Sequence, residues 1–114
     1  MVKQKVPQSE DLDLIFHALS DATRRAMVGR LAAGPATVTE LARPFPMSLA
    51  AVSKHLSILE RASVIARTKR GRERICSLNP GRLDDAYQWL TFHRQFWEQS
   101  LDALEDFLND ETKK

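Results

Sequence analysis

A chain of 114 residues, 43% of them hydrophobic, has the length and apolar content for one modest core. Its single cysteine excludes an intrachain disulfide, a thiolate metal cluster and a CxxC redox pair, and no apolar run approaches a membrane span. The net charge of +2 is unevenly spread: five basic and five acidic side chains over 1–42, eight against two over 43–74, and four against eight over 82–114.

A basic middle beside a neutral start and an acidic end suggests that one surface meets a polyanion. The opening residues MVKQKVPQSED carry two lysines but no apolar signal-peptide core, so a cytoplasmic location with no membrane contact is expected. There is no repeat, low-complexity tract or Gly/Ser linker. A single domain over 11–108 is expected, with flexible tips at 1–10 and 110–114.

The first helical pattern begins at Asp11, where Leu12, Ile15, Phe16 and Leu19 recur at i, i+3, i+4 and i+7 and line one face. Ser20 and Asp21 can cap a second helix from Ala22 to about Ala33, closed by Gly34-Pro35. Thr37 with Glu40 three residues on fits a capping box, so Val38 to Arg43 reads as a short third helix that must stop before Pro44. A fourth helix follows from the Ser48 cap to about Ala62. Taking Val52 as the centre of its buried face puts Ser48, Leu49, Leu56 and Leu59 within about 60° of it. The opposite face is then Ala50, Lys54, Ser57 and Arg61, which is small, hydroxylated and basic. Ala66 to Lys69 and Arg74 to Leu78 read as two short strands around Gly71 with a basic tip, and Cys76 as a small apolar residue of the second. Two strands alone are marginal, so the hairpin must pack on the helices. From Leu83 to about Leu108, Leu83, Tyr87, Leu90, Trp97, Leu101, Leu104 and Leu108 form a long stripe, widened by Ala86, Phe96 and Phe107. Such a helix is ~39 Å long and must project past a core whose radius of gyration is only ~13 Å. Its stripe needs a second molecule.

The fold class is therefore mainly α with a small β-hairpin wing: a winged helix-turn-helix of four helices, a hairpin and a long last helix, dimerising through the first and last helices. The major groove is ~12 Å wide and admits one helix, and short side chains at its first turns let the backbone approach base edges. Ser48, Ala50, Ala51, Ser53, Lys54 and His55 occupy those turns, and Thr37, Met47 and Ser57 complete the DNA-facing set. Lys69, Arg70, Arg72 and Arg74 on the hairpin would track phosphates or the minor groove. The dimer set is Leu12, Ile15, Phe16, Leu19, Leu90, Trp97, Leu101, Leu104 and Leu108. Arg24 and Arg25 suit backbone carbonyls or Asp21 better than DNA, while His55 reads equally well as a packed histidine or a base reader. Trp89, Phe92, Phe96 and Trp97 read first as core and dimer contacts, and second as a cage for a small apolar effector.

The run LSDATRRAMVGRLAAGPATVTELARPFPMSLAAVSKHLSILERASVIARTKRGRERICSLNP resembles the ArsR-type family of bacterial winged helix-turn-helix repressors. The telling pieces are Leu19-Ser20-Asp21 with Thr23-Arg24-Arg25, Val38-Thr39-Glu40-Leu41-Ala42, Met47-Ser48 with Val52-Ser53-Lys54-His55-Leu56, Leu59-Glu60, and Arg70-Gly71-Arg72. The resemblance covers residues 11–108 and implies a homodimer that binds an inverted-repeat operator on double-stranded DNA, usually as a repressor. The metal sensors of that family are not matched. Val38 to Arg43 lacks cysteine, and His93 near Asp84, Asp85 and Glu98 has no second histidine at ligand spacing, so no metal or other cofactor is expected. PFPMS resembles the turn of a non-metal branch. No phosphate-binding Gly loop, GxSxG or HExxH supports an enzyme. The alternative to a DNA-binding regulator is a protein-interaction module that pairs through its long helix with a different protein.

Overall fold

The computed structural model describes residues 9–112. Helix α1 (Ser9–Ala18) leads through a short turn to α2 (Ala22–Leu31), and strand β1 (Ala36–Thr37) leads directly into α3 (Val38–Ala42). Helix α4 (Leu49–Arg61) is followed by strands β2 (Ile65–Arg70) and β3 (Glu73–Leu78), and α5 (Pro80–Thr112) ends the fold.

The expected caps are in place except at Ser20, whose hydroxyl donates to the His17 carbonyl at the end of α1 at 2.6 Å and leaves the cap of α2 to Asp21. Asp21 accepts from the Arg24 backbone N–H at 3.1 Å and starts α2. Thr37 and Glu40 bond each other's backbone in a capping box at 3.1 and 2.9 Å. Ser48 accepts from the Ala51 N–H at 3.1 Å and starts α4. Each satisfies donors that a helix start leaves open. Helix α2 stops at Leu31, short of Ala33, because Ala33 and Gly34 donate to Arg30 and Leu31 in tightened turns and Gly34 takes φ +144°. At the end of α4, Ser63 takes φ +60° while Val64 N–H reaches back to the Leu59 carbonyl. The side chain of Asn79 then donates to the Ser63 carbonyl at 2.9 Å, tying the start of α5 to the end of α4.

The wing is one strand richer than the expected hairpin. β3 lies between β1 and β2 in an antiparallel sheet, with Ala36 opposite Cys76 and Thr37 opposite Ile75. Both hairpin strands run further towards the tip than expected, to Arg70 and from Glu73, where Gly71 at φ +65° makes the reversal. The third strand anchors the hairpin to the α2–α3 junction and supplies the support that two strands lack.

Ile15, Met27, Leu41, Val52, Leu56, Leu59, Val64 and Cys76 form the fully buried core, to which α1, α2, α3, α4 and the sheet all contribute. Two sequence expectations give way here. Ile15 is fully buried in the chain's own core and is not available to a partner, whereas Leu12, Phe16 and Leu19 are only half-buried against that core. Leu49 is 58% exposed although it lies on the Val52 side of α4.

Helix α5 begins at Pro80 rather than Leu83, since proline fits the first helical position, where no N–H is needed. It spans 33 residues, about 50 Å at 1.5 Å per residue. Residues 9–10 and 110–112 are helical, against the flexible tips expected there; the rest of those tips, 1–8 and 113–114, lies outside the described residues. Arg82 pairs with Asp11 at 3.2 Å and Asp85 at 3.5 Å, and the rings of Phe16 and Trp89 meet edge to face at 5.5 Å, so α1 supports only the first third of α5. The remainder projects. The radius of gyration is accordingly 19.3 Å, and the long axis reaches 71 Å.

Candidate nucleic-acid interface

The two faces of α4 separate as its sequence requires. Val52, Leu56 and Leu59 are buried, while Ala50, Lys54, Ser57 and Arg61 face outward. Ser53 is half-buried on one flank; Ala51 and His55 are half-buried on the other. Arg67 on β2, 11% exposed, donates through Nε and Nη2 to Glu60 at 3.2 and 2.9 Å and through Nη2 to the Ser57 hydroxyl at 3.1 Å. It fixes the pitch of α4 against the sheet. By sequence Arg67 belongs only to the basic run, and no local spacing links residues on a helix and a strand.

The other basic side chains of the wing are uncommitted. Lys69, Arg70, Arg72 and Arg74 are exposed, and none makes an ion pair or side-chain hydrogen bond among the described residues. Lys69 stands directly opposite Arg74 in the β2–β3 register, and like charges so placed repel. A cavity of about 320 Å³ joins the wing to the helices, lined by Thr37, Val38, Thr39, Ser53, Arg67, Arg72, Glu73 and Arg74. The structure thus brings Thr37, Ser53, Arg72 and Arg74 together. Lys54, Ala50 and Ser48 lie exposed along α4, Met47 is half-buried at its entry, and Lys69 and Arg70 reach towards the tip. The Ser48 and Ser57 hydroxyls already accept hydrogen bonds within the chain, which leaves each one proton to donate.

On the flank away from the wing, buried Arg24 donates through Nε to the Ala18 carbonyl at 2.6 Å and through Nη2 to the His17 carbonyl at 3.1 Å. Its Nη1 lies 3.1 Å from His55 Nδ1. Arg25 donates to the Leu19 carbonyl at 2.8 Å. Both arginines bind backbone carbonyls, as their residue type suggested. Asp21 and Glu40 sit below the usual carboxylate range, chiefly because each accepts a backbone N–H, from Arg24 and from Thr37. A lowered carboxylate stabilises the fold above its unfolded pKa, and that contribution is lost as pH falls through the folded value. Asp21→Asn and Glu40→Gln together are therefore expected to flatten the acid limb of stability, read as thermal midpoint from neutral pH down to about pH 3, where unpaired carboxylates titrate. An acid limb identical to that of the parent protein would contradict these cap assignments.

On α5, Leu90 is 51% exposed, Trp97 60%, Leu101 62% and Leu104 52%, and Phe92, Phe96, Phe107 and Leu108 are exposed as well. Trp89 packs on Phe16 and stacks on His93 at 4.0 Å. Tyr87, Trp89, Leu90, Trp97 and Leu101 line a cleft of about 570 Å³ along this face. Cys76 is buried in β3, and burial pushes its thiol pKa up. No group of three or more His, Cys, Asp or Glu that could hold a metal ion exists among the described residues, and no described helix is long and apolar enough to cross a membrane.

Residues 19–68 match the profile of a helix-turn-helix domain. The chain is 38% identical to the HTH-type transcriptional regulator Rv2034 of Mycobacterium tuberculosis over 99 residues, 87% of this chain and 90% of that protein. It is 37% identical to the transcriptional repressor SdpR of Bacillus subtilis over 76 residues, 67% of this chain and 84% of that one. A crystal structure of the ArsR family transcriptional regulator RHA00566 superposes with a TM-score of 0.75 at 42% identity, covering 82% of this chain and 97% of the other.

Proposed function

Because the chain belongs to the ArsR-type family of winged helix-turn-helix transcriptional regulators, we propose that it is a cytoplasmic repressor that binds an inverted-repeat operator as a homodimer. The observation that carries this reading is the set of four wing cations, unpaired among the described residues, beside the small, exposed outer face of α4. Cations left without partners on a protein surface release counterions when they meet phosphates, and a helix with short side chains can enter the major groove. Ser48, Ala50, Ala51, Ser53 and Lys54 lie on the groove side, with Thr37, Met47 and Ser57 at its margins, and Lys69, Arg70, Arg72 and Arg74 hold the backbone. Homodimers close by two-fold symmetry, so the half-sites are expected one turn of DNA, about 34 Å, or a multiple of it apart. The 11–108 unit acts as one domain. A small apolar effector would sit between the paired α5 helices, in the cleft that Trp89, Leu90, Trp97 and Leu101 line on the dimer face.

The purified protein alone should retard DNA from its own upstream region and sediment as a dimer. Failure to bind any duplex, with α5 pairing to a different protein instead, would replace this reading with that of a protein-interaction module.

Operator affinity is also expected to be independent of Zn, Cd, Ni and arsenite, because zinc-type sites take three or four ligands and His93 offers one nitrogen beside the Trp89 carbonyl. The check is affinity after chelation, with and without each ion. A loss of about tenfold on adding stoichiometric metal, suppressed by His93→Ala or Cys76→Ser, would reveal a metal site after all.

A further inference from the structure

We propose that Arg24 locks His55 in the tautomer that carries its proton on Nε2, so that the recognition helix presents a neutral N–H donor to a DNA phosphate oxygen. This rests on the reading of α4 as the helix that enters the groove.

A guanidinium donates and cannot accept. Arg24 is held on two sides, with Nε on the Ala18 carbonyl and Nη2 on the His17 carbonyl, so its third nitrogen has little freedom of direction. That nitrogen, Nη1, meets His55 Nδ1 at 3.1 Å, and Nδ1 must accept. A neutral imidazole whose Nδ1 accepts carries its hydrogen on Nε2. Asp21 Oδ2 lies 3.9 Å from the same Nδ1, beyond hydrogen-bond distance, and already accepts the Arg24 backbone N–H at 3.1 Å. It does not compete for a proton on Nδ1.

The other ring nitrogen is open. Among the described residues His55 makes no further hydrogen bond and every buried side-chain nitrogen and oxygen has a partner, so Nε2 reaches solvent. His55 shares a flank of α4 with Ser48 and Ala51, about 60° from the buried face and far from the outer face that carries Ala50 and Lys54. In a helix lying in the major groove, the outer face meets base edges and the flanks meet the groove walls, where phosphates line both strands. The choice of a phosphate oxygen over a base follows from that placement. Arg24 acts through His55 and is a positioning residue; it also anchors α4 to the end of α1.

The test begins on the free protein. Nitrogen-15 NMR of the His55 ring at neutral pH should show Nε2 protonated and Nδ1 bare, and an Nδ1–H tautomer or a doubly protonated ring overturns the proposal. Two variants then separate the nitrogens. In His55→Asn the amide oxygen sits near the Nδ1 position and can still accept from Arg24, but no donor remains at Nε2. Its thermal midpoint should stay near that of the parent, while affinity for operator and for scrambled duplex falls alike by about tenfold, as for a missing bond to a charged group. In His55→Gln the amide nitrogen takes the Nε2 position, so affinity should recover towards the parent although stability falls.

The salt dependence should be the same in the parent and His55→Asn, since a neutral donor releases no counterion; a slope lower by ~0.9 would mean an imidazolium and overturn the proposal. A His55→Asn that loses only its preference for operator overturns the phosphate assignment. If the unmodified protein binds no duplex, the reading of α4 fails and this inference with it. If the unmodified protein binds and His55→Asn binds equally well, only this inference fails.

Discussion

Leu101→Glu is expected to convert the dimer into a folded monomer that no longer binds operator. Leu101 is 62% exposed in the single chain, on a stretch of α5 that α1 does not reach, so the charge it would introduce disturbs no core of its own. In the proposed dimer the same position would be covered by the partner. By two-fold symmetry each substitution counts twice, and losing two buried leucines costs about 4 kcal/mol before the carboxylates are desolvated. That corresponds to a dimer dissociation constant raised about a thousandfold or more. Sedimentation equilibrium reads the mass, and circular dichroism reads whether the helices persist. Leu104→Glu should behave the same way, because Leu104 follows Leu101 on the stripe and is 52% exposed. An unmodified protein that is a stable monomer at micromolar concentration, or a Leu101→Glu protein that stays dimeric, would remove α5 from the interface.

Much of the helical framework is legible because helix starts announce themselves in few residues. Asp21, Thr37 with Glu40, and Ser48 each cap the helix their types imply. The parts that escape are those where a local pattern underdetermines its setting. β1 is two residues long, too short to show alternation, and its pairing with β3 joins positions about forty apart in the chain. The apolar stripe dates the start of α5 to Leu83, three residues late, because it carries no sign of Pro80, whose missing N–H is harmless at the first helical position.

Periodicity identifies the apolar face of α1 but cannot say who covers each residue. Ile15 belongs to the chain's own core, while Leu12, Phe16 and Leu19 sit at its edge. At the candidate site, residue type is enough to find the exposed wing cations and the small face of α4. It is not enough to separate Arg67, which braces Ser57 and Glu60, from the arginines that face outward, because that separation is made by the packing of β2 on α4. His55 stands open between two readings in the sequence. Its ring is half-buried with Nδ1 against Arg24, a contact between side chains 31 residues apart that no local pattern reveals.

The wing and the recognition helix should fail differently when altered, since phosphate contacts position a protein while base-edge contacts specify sequence. Arg72 is exposed, has no partner among the described residues, and lies on the rim of the cavity that joins the wing to Thr37 and Ser53. Arg72→Ala is expected to weaken binding to operator and scrambled duplex alike, and to lower the slope of log affinity against log salt by ~0.9, the value for one phosphate no longer neutralised. Because Arg72 pairs with nothing among the described residues, thermal stability should not change. Ser53 and Lys54 lie in the second turn of α4, Ser53 against the cavity and Lys54 on the outer face. Ser53→Ala and Lys54→Ala should reduce the preference for operator more than binding to scrambled DNA, by about 1 to 3 kcal/mol where a base pair is no longer read. Lys54→Ala should also lower the salt slope if its ammonium spends part of its time on phosphate. Paired salt titrations on the two duplexes measure all of these quantities for each variant. Unchanged slopes for Arg72→Ala would make the wing a solvated hairpin, and a preference left intact by both α4 variants would mean that another element reads the operator.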